Sequence, residues 1–156
     1  MNSATWYRLV RGEGCPFDAP RPDSTDHRDK VCALSVSTLY LSTNQTYRGQ
    51  CLLILDTRHA TRPGEVPAQE WTAFCEDLRR AERTIVRVVH PDHVNIAALG
   101  NLVPHLHWHI IPRYRTDPRW GSPIWSTQLE DMPDTRLSAE AQCQLIRELR
   151  AAVAAG

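Results

Sequence analysis

The sequence predicts a single α+β domain in which an antiparallel sheet of about five strands is covered on one face by a long helix. Three observations lead to this prediction. Short apolar runs lie before and after one long amphipathic segment, and a second amphipathic segment lies near the C-terminus. The length of 156 residues, 42% of them hydrophobic, suits one globular core.

The predicted strands follow from apolar and β-branched runs bounded by turn residues. Residues 36–41 and 51–55 form two strands joined by a hairpin loop over 42–49. Residues 93–97 and 105–111 form two more, joined by a short loop.

Two helices are predicted. Pro67 suits the first turn of the long helix, where its missing N–H costs nothing, and the helix should end before His90-Pro91. Its buried stripe repeats at steps of three and four residues and consists of Trp71, Phe74, Leu78 and Ile85. The second helix runs from about 139 to 152, with Ser138 as its N-cap.

The whole chain, 1–156, is interpreted as one domain with two less regular flanks. Residues 1–30 form an irregular N-terminal arm, because 11–30 are rich in proline, glycine and aspartate and have no regular period. Residues 114–156 form a C-terminal extension that ends in the second helix.

Charge and cysteine content limit the partners and the compartment. Lysine plus arginine and aspartate plus glutamate number 18 each, so no overall field draws the chain to nucleic acid or an anionic membrane. The five cysteines are scattered and lack a Cys-x-x-Cys pair, which is typical of reduced thiols in the cytoplasm. No basic start followed by an apolar stretch predicts secretion, and no run is long enough to span a membrane.

The last predicted strand carries three histidines in strict alternation: His105, His107 and His109. Successive strand residues point to opposite faces, so the imidazoles share one face and the apolar residues between them share the other. The row could be solvated histidines, a metal site or a nucleophilic centre. Side chains two residues apart lie roughly 6.6 Å apart and those four apart roughly 13 Å, so one metal could take two of the three without strain.

Nucleophilic catalysis explains the row best, with His107 at its centre. A neutral imidazole attacks phosphorus near pH 7 because its pKa lies close to ambient pH. The middle histidine can present one ring nitrogen to phosphorus while its neighbours donate to phosphate oxygens or to the departing group. A backbone carbonyl that accepts from the other nitrogen would fix the tautomer.

The segment His-Leu-His-Trp-His-Ile-Ile-Pro-Arg, residues 105–113, resembles the motif of the histidine triad (HIT) superfamily. In that motif three histidines alternate with apolar residues, and Pro-Arg follows in many members. Upstream features keep the family's order, with Arg48-Gly49 before an apolar strand, then Arg58-His59, then the long helix. The resemblance covers about 36–113 and implies a HIT-like fold.

The resemblance also implies roles for individual residues. His107 would form a nucleotidyl-histidine intermediate, and His109 would contact the scissile phosphate or the leaving oxygen. His105 would support the site together with His59.

Three further residues are candidate substrate contacts. Asn95 is similar to the family's asparagine near ribose and phosphate, and Asn101 lies where relatives carry a phosphate contact. Arg113 could meet a polyphosphate. Ordinary structural explanations stay open: His59 could cap a loop, an asparagine often serves a turn, and surface arginines are often only solvated.

The implied activity is a nucleotide hydrolase or transferase acting on phosphoanhydride or phosphoramidate bonds, with dinucleoside polyphosphates favoured as substrates. Some bacterial members similar to diadenosine tetraphosphate hydrolases carry a Trp-rich extension, as here with Trp120 and Trp125, although tryptophans more often mark core or dimer packing. Many relatives are homodimers, and a homodimer is expected. The alternatives are a nucleotide-binding or scaffold protein with little turnover and a metal-dependent hydrolase.

No metal bound by the protein is expected. Many relatives have Cys-x-x-Cys near the N-terminus as part of a structural zinc site, whereas Cys15-Pro16-Phe17-Asp18 offers one thiolate. No cofactor is therefore predicted, and Mg²⁺ would act only through the substrate's phosphates.

Overall fold

The computed structural model describes residues 2–117, 119–126 and 133–156. It contains an antiparallel sheet of five strands in the order β1-β2-β3-β5-β4. Helices pack on one face, so the predicted α+β class is confirmed. The strands are β1 (Arg28–Ala33), β2 (Ser37–Ser42), β3 (Cys51–Leu55), β4 (His93–Ala97) and β5 (His107–Arg113).

Strand β1 was not predicted, because its sequence Arg-Asp-Lys-Val-Cys-Ala mixes charged and apolar residues without alternation. It pairs with β2 through a register that shifts between Lys30 and Cys32. A shift of this kind breaks the period of two that sequence patterns detect.

Strand β5 begins two residues later than predicted. The backbone N–H of His105 donates to the carbonyl of Val103 over 2.8 Å, which is a turn rather than a strand ladder. Leu106 N–H then donates to the carbonyl of Ala60. His105 therefore precedes the strand, whereas His107 and His109 lie in it.

The three α-helices are α1 (Ser3–Val10), α2 (Ala68–Val89) and α3 (Ala139–Ala154). Both predicted helices are present, and Ser138 caps α3 by accepting from the N–H of Ala141. The description of 1–30 as an irregular arm is wrong at its start, where α1 forms with Asn2 as its N-cap. None of the residues of α1 is buried, and at eight residues the helix is too short to give a sustained sequence period.

The hydrophobic core lies between the sheet and α2. Trp108 of β5 contacts Trp71 and Phe74 of α2, each with ring centroids 6.0 Å apart. Trp108, one of the apolar residues between the three histidines, therefore points to the face opposite the imidazoles, as the strand alternation predicts. Buried Asp77 joins α2 to the β1–β2 connection by accepting four hydrogen bonds from Ser35–Ser37.

The opposite face of the sheet carries Tyr40, Ile54, His107 and His109, and we call it the triad face. The arm packs Cys15 and Phe17 against Tyr40 and Ile54. The segment after β5 brings Trp125 against His109, with ring centroids 5.1 Å apart. The histidines thus lie in a covered cleft rather than on an open surface. No helix in the described residues is both long and apolar enough to cross a membrane.

Candidate active site

His107 is held in one orientation at the centre of the triad face. Its Nδ1–H donates to the carbonyl oxygen of His105 over 2.6 Å, and its Nε2 lies 3.1 Å from Nε2 of His109. The ring of Phe17 packs edge to face with the imidazole, and the two ring centroids lie 5.0 Å apart. A neutral ring that donates from Nδ1 keeps a lone pair on Nε2, the nitrogen that can attack.

His109 supplies the proton between the two Nε2 atoms. Because Nε2 of His107 is an acceptor, Nε2–H of His109 is the donor, and Nδ1 of His109 is then an acceptor. That Nδ1 atom is buried and has no partner among the described residues. The ring is therefore fixed by one hydrogen bond and by Trp125, and it can redirect its proton when a ligand arrives.

Both imidazoles are neutral in the resting site. Burial lowers the pKa of His107, the hydrogen bond to the His105 carbonyl partly offsets this effect, and the positive charge of Arg28 adds to the lowering. Burial and then His107 lower the pKa of His109 to about 4. At neutral pH the attacking nitrogen needs no deprotonation.

His105 and His59 lie together beside this pair. Their ring centroids are 5.3 Å apart, and Nδ1 of each lies within 3.1 Å of Oδ1 of Asp18. Sγ of Cys15 lies 3.8 Å from Nδ1 of His105. The donor atoms of these four residues all lie within 4.8 Å of one another, and we call them the four-donor cluster.

The ring orientations in the four-donor cluster suit a metal ion. Nε2–H of His105 donates to the carbonyl of Leu55 over 2.8 Å, and Nε2–H of His59 donates to the carbonyl of Val10 over 3.2 Å. Neutral rings in these tautomers turn Nδ1 lone pairs toward the carboxylate of Asp18, so acceptors face acceptors. A divalent cation resolves that arrangement, and a thiolate, a carboxylate and two imidazoles form a donor set that zinc accepts.

Arg113 is buried and holds the segment that follows β5. Its Nε–H donates to Asp117 over 2.5 Å, and Nη1–H donates to Oδ1 of Asn95 over 2.6 Å. Further N–H groups donate to the carbonyls of Arg119 and Ser122. The guanidinium that was predicted to meet substrate is thus engaged by protein groups, and it fixes the segment on β4.

A cavity of about 590 Å³ opens between β4 and this segment. Asn95 and Ala97 line one wall, whereas Trp120 and Trp125 line the other. Ala97 is paired with His109 across the strands, so the cavity adjoins the imidazole pair. Asn95 thus lies beside the cleft, and its role as a substrate contact stays a prediction.

Asn101 lies elsewhere. It is exposed, and it lines a separate surface cavity with residues of the N-terminal helix, including Trp6 and Tyr7. No hydrogen bond joins its side chain to an imidazole within the described ranges. The expectation that it contacts a phosphate at the triad therefore has no support from this geometry.

Sequence reasoning missed four residues of the site. Phe17 and Asp18 were assigned to an irregular arm, and so was Arg28, which lies buried on the triad face. Trp125 was read as packing. One signal was present: Cys15 and Asp18 have the spacing of a Cys-x-x-Cys pair with an oxygen donor in place of the second sulfur.

The sheet, the helix on one face and the paired imidazoles on the other define the class of histidine triad proteins. The sequence profile of the HIT domain matches residues 27–116, more than half of the chain, and the chain belongs to this family.

Individual proteins and solved structures with similar sequences or folds are consistent with this family. The chain is 28% identical to Adenylylsulfatase HINT3 from Arabidopsis thaliana over 127 residues, which cover 78% of this chain and 58% of that protein. The chain thus spans less than two thirds of the length of that relative. A histidine triad protein from Bradyrhizobium japonicum superposes with a TM-score of 0.73 at 26% identity, over 81% of this chain and 91% of that one. One from Marinobacter aquaeolei shares the fold, with a TM-score of 0.73 at 24% identity over 83% and 90% of the two chains.

Proposed function

We propose that this chain is a nucleotide hydrolase or transferase that cleaves phosphoanhydride or phosphoramidate bonds through a nucleotidyl-His107 intermediate. One observation carries the proposal: the 2.6 Å hydrogen bond from Nδ1–H of His107 to the carbonyl of His105 places the lone pair on Nε2, the nitrogen that attacks once the substrate displaces Nε2–H of His109. Membership of the HIT family and the likeness to an adenylylsulfatase support activity on nucleotides.

The reaction has two displacements at phosphorus. Nε2 of His107 forms a bond to phosphorus while the bond to the leaving oxygen breaks, and the leaving group departs with the electron pair. The ring becomes cationic, and its Nδ1–H bond to the carbonyl of His105 strengthens. His109 donates Nε2–H to the leaving oxygen or a phosphate oxygen. Water or another acceptor then attacks phosphorus, loses a proton, and returns the electron pair to Nε2.

The charge state of His109 favours anhydrides over amidates. Its pKa is lowered to about 4 by burial and by His107, so the ring of the resting site is a neutral hydrogen-bond donor rather than a cationic acid. A phosphate or sulfate leaves as a stable anion and needs no full protonation. An amine leaving group does need it.

We favour dinucleoside polyphosphates within this class. The cavity of about 590 Å³ beside His109 supports this choice, because Trp120 and Trp125 offer apolar aromatic walls to a large leaving group. His109 is the residue assigned to the leaving oxygen, so the cavity lies on the leaving-group side.

We propose that the chemistry needs no metal and that any zinc in the four-donor cluster is structural. Cys15, Asp18, His59 and His105 would hold it and would join the arm to the end of β3. The lone pairs available for a metal lie on Nδ1 of His105, whereas His107 contacts the backbone oxygen of that residue. Zinc there would fix the orientation of His59 and His105 and would hold the arm against the sheet, whereas Mg²⁺ would act only through the substrate's phosphates.

The second candidate function is a nucleotide-binding or scaffold protein with little turnover. It is favoured by the cover over His107, whose exposure is only 6%. The two functions are separated by mixing the protein with a dinucleoside polyphosphate, quenching without acid and measuring the intact mass. A nucleotidyl increment on His107 supports the enzyme, and tight binding without the increment supports the scaffold.

We also propose a homodimer in a reducing cytoplasmic setting. Strand β4 is the edge of the sheet, and its Ile96 is 44% exposed, which suits pairing with a second copy. All five cysteines are free thiols, as is usual where thiols are kept reduced. Light scattering of the purified chain tests the dimer.

A further inference from the structure

Arg28 is a buried cation without a neutralising partner. It is 7% exposed, and among the described residues the only hydrogen bond of its side chain runs from Nη2–H to the carbonyl of Pro16 over 3.3 Å. Its Nε–H is buried and has no acceptor within the same residues. No carboxylate of the described chain forms an ion pair with it. Such an arrangement is costly, because burial removes the hydration of the charge.

Aromatic rings surround the guanidinium but do not neutralise it. Its carbon lies 4.7 Å from the ring centroid of Phe17 and 5.2 Å from that of Tyr40. Ring faces attract a cation, but they give its N–H groups no strong acceptor. The group therefore lacks the oxygen atoms that a guanidinium binds best, those of a carboxylate or a phosphate.

Arg21 provides a comparison in the same cluster. Its side chain is 3% exposed, it lies 5.6 Å from the centroid of Tyr40, and it is ion-paired with Asp56. It also donates to the hydroxyl of Tyr40 and to the carbonyl of Phe17. Two arginines with buried side chains thus share one ring, and among the residues that the structure describes only Arg21 has a counter-ion.

Arg28 and His107 contact the same aromatic ring. Phe17 contacts both groups, with its centroid 5.0 Å from the His107 ring and 4.7 Å from the Arg28 guanidinium. The charge of Arg28 adds to burial in lowering the pKa of His107, so the field of the cation reaches the attacking ring. An anion at this place would be attracted by the positive charge of Arg28.

We propose that Arg28 is an electrostatic binding residue for a phosphate group of the nucleotide, so that the ligand supplies the counter-ion that the described part of the chain does not provide. This proposal rests on the proposed function for the location of the nucleotide on the triad face. Arg28 binds through its unpartnered N–H groups and its charge, and takes no part in bond making. Phe17 and the carbonyl of Pro16 come from the arm, which must yield to admit the ligand.

The test compares Arg28→Met with Arg21→Met, measuring thermal unfolding and equilibrium binding of AMP, adenosine and inorganic phosphate by calorimetry. Removing an unpaired buried charge should leave the Tm of Arg28→Met equal to or above that of the wild type. Its affinity for AMP should fall about tenfold, as expected for a charge-assisted contact, and its affinity for adenosine should stay within about twofold. Arg21→Met should unfold at a lower Tm, because Asp56 loses its partner, and should keep the wild-type ratio of AMP to adenosine affinity.

The proposal is overturned if Arg28→Met binds AMP as the wild type does, or if AMP and adenosine weaken equally. Inorganic phosphate that matches AMP in affinity would overturn the assignment to a nucleotide. Wild-type protein that binds neither AMP nor GMP would overturn it as well. If Arg28→Met does not fold, Arg28→Lys decides: it keeps the charge and loses the planar fork, so it should fold and bind AMP with intermediate affinity, and wild-type affinity would contradict the proposal.

The outcome is distinguishable from that of the proposed reaction. If no nucleotidyl-His107 forms but AMP binding depends on Arg28, the reaction fails and the binding residue stands. If His107 is labelled and Arg28→Met still binds AMP normally, the reaction stands and the binding residue fails.

Discussion

The Nε2 atoms of His107 and His109 lie 3.1 Å apart, close enough for one hydrogen bond between the nucleophile and its neighbour. The bond has a direction, because Nδ1–H of His107 already donates to a carbonyl. In the proposed reaction, the nitrogen that attacks phosphorus is therefore the acceptor of the hydrogen bond whose donor later meets the leaving oxygen. That reaction requires the substrate to displace this hydrogen bond and to accept one from His109 in its place.

Replacing His107 with Ala should lower turnover at least about a thousandfold, because water cannot replace the covalent route. Steady-state hydrolysis of a dinucleoside polyphosphate measures the loss, and circular dichroism controls for folding. His105→Ala and His109→Ala should cost less. A greater loss in either flanking variant, with equal folding, would show that the central histidine is not the nucleophile.

Burial of His109 should make stability depend on pH. Its pKa is about 4 in the folded chain and ordinarily 6.5, so the unfolded chain binds more protons between these values. Its contribution is complete above pH 6.5 and is lost as pH falls toward 4, by up to about 3 kcal/mol. Urea unfolding at pH 7.5 and 4.5 should give a larger drop for the wild type than for His109→Asn. Equal drops would mean that the ring is not desolvated.

Zinc should stabilise the fold without changing the chemistry. Zinc-loaded protein should melt about 5 °C or more above chelated protein, because a metal that binds only the native state adds to its stability. Asp18→Asn should lose most of this shift. Turnover measured well below both melting temperatures should agree within about twofold. Activity lost on chelation and restored by stoichiometric zinc, but not by magnesium, would favour the metal-dependent hydrolase.

Trp125→Ala should change the selectivity for the leaving group. Loss of one aromatic wall should lower kcat/KM for a dinucleoside tetraphosphate about tenfold, whereas adenylylsulfate, with its small leaving group, should change little. Trp125→Phe keeps a ring on His109 and should restore most of the difference. A uniform loss for both substrates would indicate that Trp125 acts only by positioning His109.

Arg113→Ala should destabilise the chain by about 3–5 kcal/mol, because it leaves Asp117 buried and unpaired. Denaturant unfolding measures the change, and Arg115→Ala, at an exposed side chain, is the matched control. If Arg113 were instead free for substrate, both variants would be equally stable and only KM would rise.

The fold was predictable where one pattern dominates. The stripe of α2 and the apolar run of β3 are long, regular signals, and both elements lie within a residue of their predicted bounds. Helix α1 and strand β1 were missed because short or charged segments gain their structure from neighbours rather than from a period of their own.

The site residues were predictable where strand alternation or the family resemblance indicates them. His107 and His109 follow from alternation in one strand, and the partnership of His59 with His105 follows from family resemblance. Asp18 could not be placed, because an arm without regular structure can be positioned only by the surface it covers. Arg28 could not be placed, because its strand β1 was not predicted. The ion pair between Arg113 and Asp117 depends on a turn after β5, and no hydrophobic period in the sequence predicts this turn.

Adjacent residues of β5 lie in opposite environments. Trp108 faces the hydrophobic core and α2, whereas His107 and His109 face the cleft. Loss or gain of one residue within the strand would send the indole into the cleft and an imidazole into the core. A change of two residues would keep the sides but shift the partners along β3. Substitutions within β5 can therefore alter the chemistry of the cleft while the fold is kept, whereas insertions and deletions are compatible with the fold only in the connections at the two ends of the strand.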